Sequence, residues 1–116
     1  MKKTAAARAV ATVFSLTPPP TFPAVVEIPR PGAEPAELHL VFKHKDDDQL
    51  KEWLASASGA KSDAEWLLGI VDGWEGVSAK FSPDALATLV RNYHAPAVTA
   101  IVDKYLAELT EARRGN

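Results

Sequence analysis

Seven of the nine prolines in this 116-residue chain fall in its first third, at Pro18, Pro19, Pro20, Pro23, Pro29, Pro31 and Pro35. Each fixes φ and removes an amide donor, so no regular helix runs through that stretch. The consecutive trio reads as a stiff, polyproline-like connector, which needs no partner to keep its shape. The other two, Pro83 and Pro96, stand where helices can open. The chain is therefore expected to be extended first and helical afterwards.

Two stretches in the proline-rich part read as strands: Ala24-Val25-Val26-Glu27-Ile28 and Glu37-Leu38-His39-Leu40-Val41-Phe42-Lys43. In the second, Leu38, Leu40 and Phe42 share one face, and His39, Val41 and Lys43 the other. Residues 29–35 between them are rich in turn formers and read as a loop. An isolated hairpin is marginal in water, so its apolar face needs a helix to cover it.

Helix signals begin after the charge reversal of Lys43-His44-Lys45 and Asp46-Asp47-Asp48. Carboxylates at a helix start satisfy free amides and suit the dipole, which favours capping over metal binding for this cluster. Leu50, Trp53, Leu54 and Ala57 then recur at helical spacing, and Gly59 is placed to end the helix. Ser62-Asp63-Ala64-Glu65 has the form of a capping box. Trp66, Ile70 and Trp74 would share one face of the helix it opens, with Gly69 a weak point inside it. Ser82-Pro83 opens another helix, with Leu86, Leu89, Val90 and Tyr93 as its apolar stripe. A break at Ala95-Pro96 precedes a last helix carrying Val98, Ile101, Val102, Tyr105 and Leu109 on one face. Leu106 widens that stripe, and Arg113 and Arg114 suit its final turn. The fold class expected is α+β: a hairpin region (21–45) followed by a bundle of about four helices (46–116), behind an extended arm (1–20).

Chemical groups are sparse. Cysteine is absent, which removes disulfides and thiolate sites and fits a reducing cytoplasm. His39, His44 and His94 are scattered without metal-ligand spacing, and there is no nucleophile elbow or phosphate-cradling glycine loop. No catalytic residue, cofactor or metal is expected. The net charge of −2 and pI near 5.9 give no basic footprint. A helix-turn-helix ending at Tyr93 would show Asp84, Thr88, Arg91 and Asn92, a poor set for gripping phosphates. Met1-Lys2-Lys3 before an alanine run imitates a secretory signal, but Arg8 interrupts the apolar part. No stretch is apolar for long enough to span a membrane. What remains is a helical module built for protein contacts. Trp66, Trp74, Tyr105 and Leu106 are its candidate anchors, in the core or at an interface.

The segment 66–116 resembles the tail assembly chaperones of long-tailed phages. The resemblance is carried by Leu68-x-x-Val71-x-x-Trp74-x-x-Val77, Phe81-Ser82-Pro83-x-Ala85-Leu86, Leu89-x-x-x-Tyr93, Ala100-Ile101, Tyr105 and Ala112-Arg113-Arg114. Upstream, Pro20-Thr21-Phe22, Pro31-Gly32 and Phe42-Lys43-His44 follow in a similar order. The resemblance implies a non-catalytic protein of the bacterial host cytoplasm that binds the tape measure protein. It would keep that client soluble and extended while the tail tube polymerises, self-associate, and be absent from the finished virion. It also implies a longer frameshifted product that recruits tail tube protein; Arg114-Gly115-Asn116 permits slippery codons among many other codings. Neither nucleic acid nor a membrane is an expected partner. The alternatives are a structural tail completion or connector protein and a small helical DNA-binding regulator.

Overall fold

The computed structural model describes residues 13–111. The signal-like start and the final-turn arginines Arg113 and Arg114 lie outside them. Strands β1 (Thr21–Arg30) and β2 (Ala33–Lys43) are followed by helix α1 (Asp47–Ala55) and a 3₁₀ turn, Ser56–Gly59. Then come the short helix α2 (Asp63–Leu67), strand β3 (Val71–Glu75) and helix α3 (Pro83–Thr110). The sheet is antiparallel in the order β1-β2-β3.

Both strands of the hairpin are longer than their apolar alternation predicts. Phe22 pairs with Phe42, Ala24 with Leu40 and Val26 with Leu38, so the apolar sets of both strands share one face. The expected loop over 29–35 shrinks to a turn at Pro31-Gly32, with Gly32 at φ 69°. Proline before a positive-φ glycine is the pairing a tight reversal requires. Pro29 sits at the register shift between Ile28 and Arg30, where a missing donor costs no ladder bond.

The helix expected to run through Trp74 stops at Leu67, and Trp74 lies on β3. Gly69 and Gly73 each weaken a helix by about 1 kcal/mol. The open edge of β2 offers ladder partners instead, pairing Leu40 with Trp74 and Phe42 with Val71. The spacing of Trp66, Ile70 and Trp74 fits a helix, but edge pairing in the folded sheet overrides it. The described residues accordingly hold three helices, not a bundle of about four.

Local capping follows the sequence closely. Asp46 accepts from the Gln49 amide at 2.8 Å while the Gln49 side chain accepts from the Asp46 amide at 2.9 Å. Ser62 accepts from the Glu65 amide, but the Glu65 carboxylate returns to the Lys61 amide, one residue before the expected one. Ser82 accepts from the Ala85 amide ahead of Pro83. Within α3, His94 takes φ 65°, ψ −161° and divides the helix into two segments. Pro96, two residues on, supplies the cause, since its ring cannot continue the preceding turn.

The core lies between the sheet's inner face and the helices. Val26, Ile28, Leu38, Leu40 and Phe42 meet Trp53, Leu67, Ile70, Leu86, Ala97, Ile101 and Tyr105 there. The second segment of α3 contributes Ala97, Ile101 and Tyr105 at four-residue intervals, one side of a helix. No helix among the described residues is long and apolar enough to cross a membrane.

Candidate protein-interaction site

An open groove of about 500 Å3 runs between the hairpin end of the sheet and the first segment of α3. Its apolar wall is formed by Ile28, Leu38, Trp74, Val77, Leu89 and Tyr93, and its polar rim by Arg30, Glu37, Thr88 and Asn92. Trp74 is aimed into place by the chain that follows it. Its indole meets Phe81 edge to face at 5.1 Å, and its Nε1 donates to the Ala79 carbonyl at 2.9 Å. Gly76, at φ 72°, allows the turn that brings the Ala79 carbonyl back to the indole N–H. Leu89 and Tyr93 face the groove from α3, four residues apart. Such a surface can take up an apolar side chain or the apolar face of a helix.

The other three candidate anchors lie elsewhere. Trp66 is half-buried and stacks on Trp53 with ring centroids 4.1 Å apart and planes within 3°. The bonding between them is reciprocal: Trp53 Nε1 donates to the Trp66 carbonyl at 2.9 Å, and Trp66 Nε1 to the Trp53 carbonyl at 2.8 Å. Gly69 makes room for this pair, since a Cβ there would stand 2.7 Å from Trp53 Cδ1. Gly69 lies in the turn after α2, where the Trp53 ring and, at 3.2 Å, the Trp66 carbonyl leave no room for a side chain. The spacing puts Trp53 on an apolar helix stripe, but nothing local in the sequence marks it as the mate of Trp66.

Tyr105 is wholly buried among Phe22, Phe42 and Trp53. Its hydroxyl donates to the Lys43 carbonyl at 2.7 Å. Burial pushes its phenol up to about 12, because the phenolate would lose its hydration. With no accessible surface, Tyr105 can act on a partner only through the elements it holds together. Lys43 joins those elements: its amide donates to the Ile70 carbonyl at 2.7 Å and its Nζ to the Leu68 carbonyl at 3.0 Å. Leu106 is half-buried on α3, one residue on from Tyr105. Of the four residues, only Trp74 lines the groove. Among the described residues no group of three or more His, Asp or Glu stands together as metal ligands would.

The family model for phage tail assembly chaperones matches residues 10–116, nearly the whole chain. The protein belongs to the phage tail assembly chaperone family. No curated protein and no solved structure matches it. The matched span takes in every element of this tail assembly chaperone, so the sheet, the paired tryptophans and the groove all lie inside it.

Proposed function

We propose that this chaperone binds the tape measure protein of its phage and keeps it soluble and extended while tail tube subunits polymerise around it. The observation that carries the reading is the family match across residues 10–116. The groove supports it physically: an amphipathic helix of the client can lay apolar side chains against Trp74, Leu89 and Tyr93 without any reacting group. The proposed setting is the host cytoplasm, with the protein leaving before the tail is complete. Self-association and a longer translational product that recruits tube protein belong to the same proposal.

Co-expression with the tape measure gene, followed by pull-down and light scattering, tests it. A soluble, stoichiometric complex is the expected result. If the client stays insoluble and no complex forms, the tape measure role is wrong.

A further inference from the structure

The two segments of α3 are fastened to the body unequally. Ala97, Ile101 and Tyr105 of the second are wholly buried, and the Tyr105 hydroxyl is bonded to the Lys43 carbonyl. The first segment, residues 83–93, buries Leu86 alone. Leu89, Val90 and Tyr93 are only partly buried against the core. Its one side-chain hydrogen bond among the described residues, from Thr88 Oγ1 to the Asp84 carbonyl, stays within the segment. It rests on the sheet by apolar contact, which is non-directional and sets no fixed angle between the two.

Both ends of this segment are joints. Before it, residues 76–82 form neither helix nor strand, and Gly76 at φ 72° turns the chain out of β3. After it stands His94 at φ 65°, ψ −161°, a combination that only glycine adopts without strain. Pro96 requires the helix to break here, but a break at negative φ would meet that need at no such cost. The imidazole gives nothing in return: it is exposed and has no hydrogen bond or ion pair among the described residues.

Strain of this kind persists only where the parts on either side hold it. Here those parts are Leu86 in the core and the buried face of Ala97, Ile101 and Tyr105. The strain is therefore a property of how the first segment lies on the sheet, and it is relieved when that segment moves. Asn92 and Tyr93, directly before the strained residue, line the groove with Thr88 and Leu89. Motion about His94 thus changes the width of the groove while the second segment keeps its place.

We propose that the first segment of α3 is a hinged jaw of the groove, strained at His94 when closed and relaxed to negative φ when it opens around the client. Opening releases the strain, so the closed, client-free state holds in reserve part of the affinity for the client. A residue without strain at this position, as glycine is, would favour the closed groove and weaken binding. The inference rests on the groove being the client surface, as in the preceding reading.

The test compares the full-length wild type with His94→Gly, which removes the strain, and His94→Ala, which keeps it without the imidazole. The chain has no cysteine, so Glu37→Cys with Thr88→Cys, exposed on the two rims of the groove, takes a pair of spin labels. Glu37→Cys with Asp103→Cys, also exposed, spans the sheet and the second segment as a reference. In client-free protein diluted with unlabelled chain, the rim distances are expected to include a longer, open population. His94→Gly should reduce that population about fivefold and His94→Ala should retain it, while the reference distance stays single. Co-expressed with a limiting amount of tape measure protein, the wild type should displace His94→Gly from the purified complex about fivefold and share it equally with His94→Ala. One rim distance, the same in all three chains, overturns the hinge, and so does equal uptake of wild type and His94→Gly. If no chain gives a soluble complex, the tape measure reading fails, and the client-free distances decide the hinge by themselves.

Discussion

The two ends of the molecule handle aromatic side chains in opposite ways. At the end where β1 begins, Trp53, Trp66 and Tyr105 each give their polar hydrogen to a backbone carbonyl of a different element. The rings stack or meet edge-on with one another, and Tyr105 leaves nothing for solvent. At the hairpin end Trp74 also donates to a carbonyl, but to Ala79 only five residues away, and beside it stays an open groove. Bonds between distant segments lock the first end into a structural joint. A local bond orients the indole of the second and leaves its surroundings free to receive a partner. Aromatic content alone does not separate a core from an interface; the sequence distance spanned by the polar handle does so here.

Substitutions at the locked end should cost most. Trp53→Ala removes a buried ring and the stack on Trp66, and is expected to lower unfolding free energy by about 3–5 kcal/mol in a urea titration. A cost below about 1 kcal/mol would show that the tryptophan pair is not a joint. Gly69→Ala should follow at about 1–3 kcal/mol, since its Cβ would press on the Trp53 ring, which the stack prevents from yielding. Wild-type stability there would mean that the pair is looser than the structure shows.

Tyr105→Phe should cost about 1 kcal/mol near neutral pH through loss of the bond to the Lys43 carbonyl. Its pH signature is more specific. The unfolded phenol titrates at its ordinary 10.0 and the folded one at about 12. Between those values the unfolded chain binds fewer protons than the native one, so stability falls as pH rises. The contribution of Tyr105 is complete below pH 10 and is lost on the way to pH 12. Denaturation curves across that window should show a decline that the phenylalanine variant lacks in part.

The smallest effect, of opposite sign, belongs near the groove. His94 holds a backbone conformation that costs a non-glycine residue about 1–3 kcal/mol. His94→Gly should therefore stabilise the protein by roughly 1 kcal/mol, after allowing for its freer unfolded chain. A destabilised variant would mean that the imidazole makes contacts outweighing the strain.

Capping, the hairpin and the apolar faces of the last helix are legible in the sequence. Caps and helix faces depend on residues within one or two turns, and the hairpin on two apolar runs flanking a stretch of turn formers. Asp46, Ser62 and Ser82 all cap where their neighbours require. Of the stripe expected on the last helix Ile101 and Tyr105 are buried, joined by Ala97, while Val98, Val102 and Leu109 are partly buried. The stretch from Gly69 to Trp74 has a pattern that suits a helix, and only the edge of β2 makes Val71–Glu75 a strand. The groove is hidden for a similar reason: Trp74 is legible as a candidate, but Leu38 comes from β2 and Leu89 and Tyr93 from α3.

The sequence by itself determined that this protein has an extended, proline-led first part, helices with defined starts, and packing signatures of the tail assembly chaperones. Those features rest on short-range sterics, hydrogen bonding and side-chain period, which act before distant segments meet. Only the tertiary structure decided that Trp53 clasps Trp66, that Tyr105 is sealed while Trp74 borders a groove, and that residues 71–75 pair with β2. Each of these is a choice among surfaces of similar hydrophobicity, and it is made by which partner closes over them.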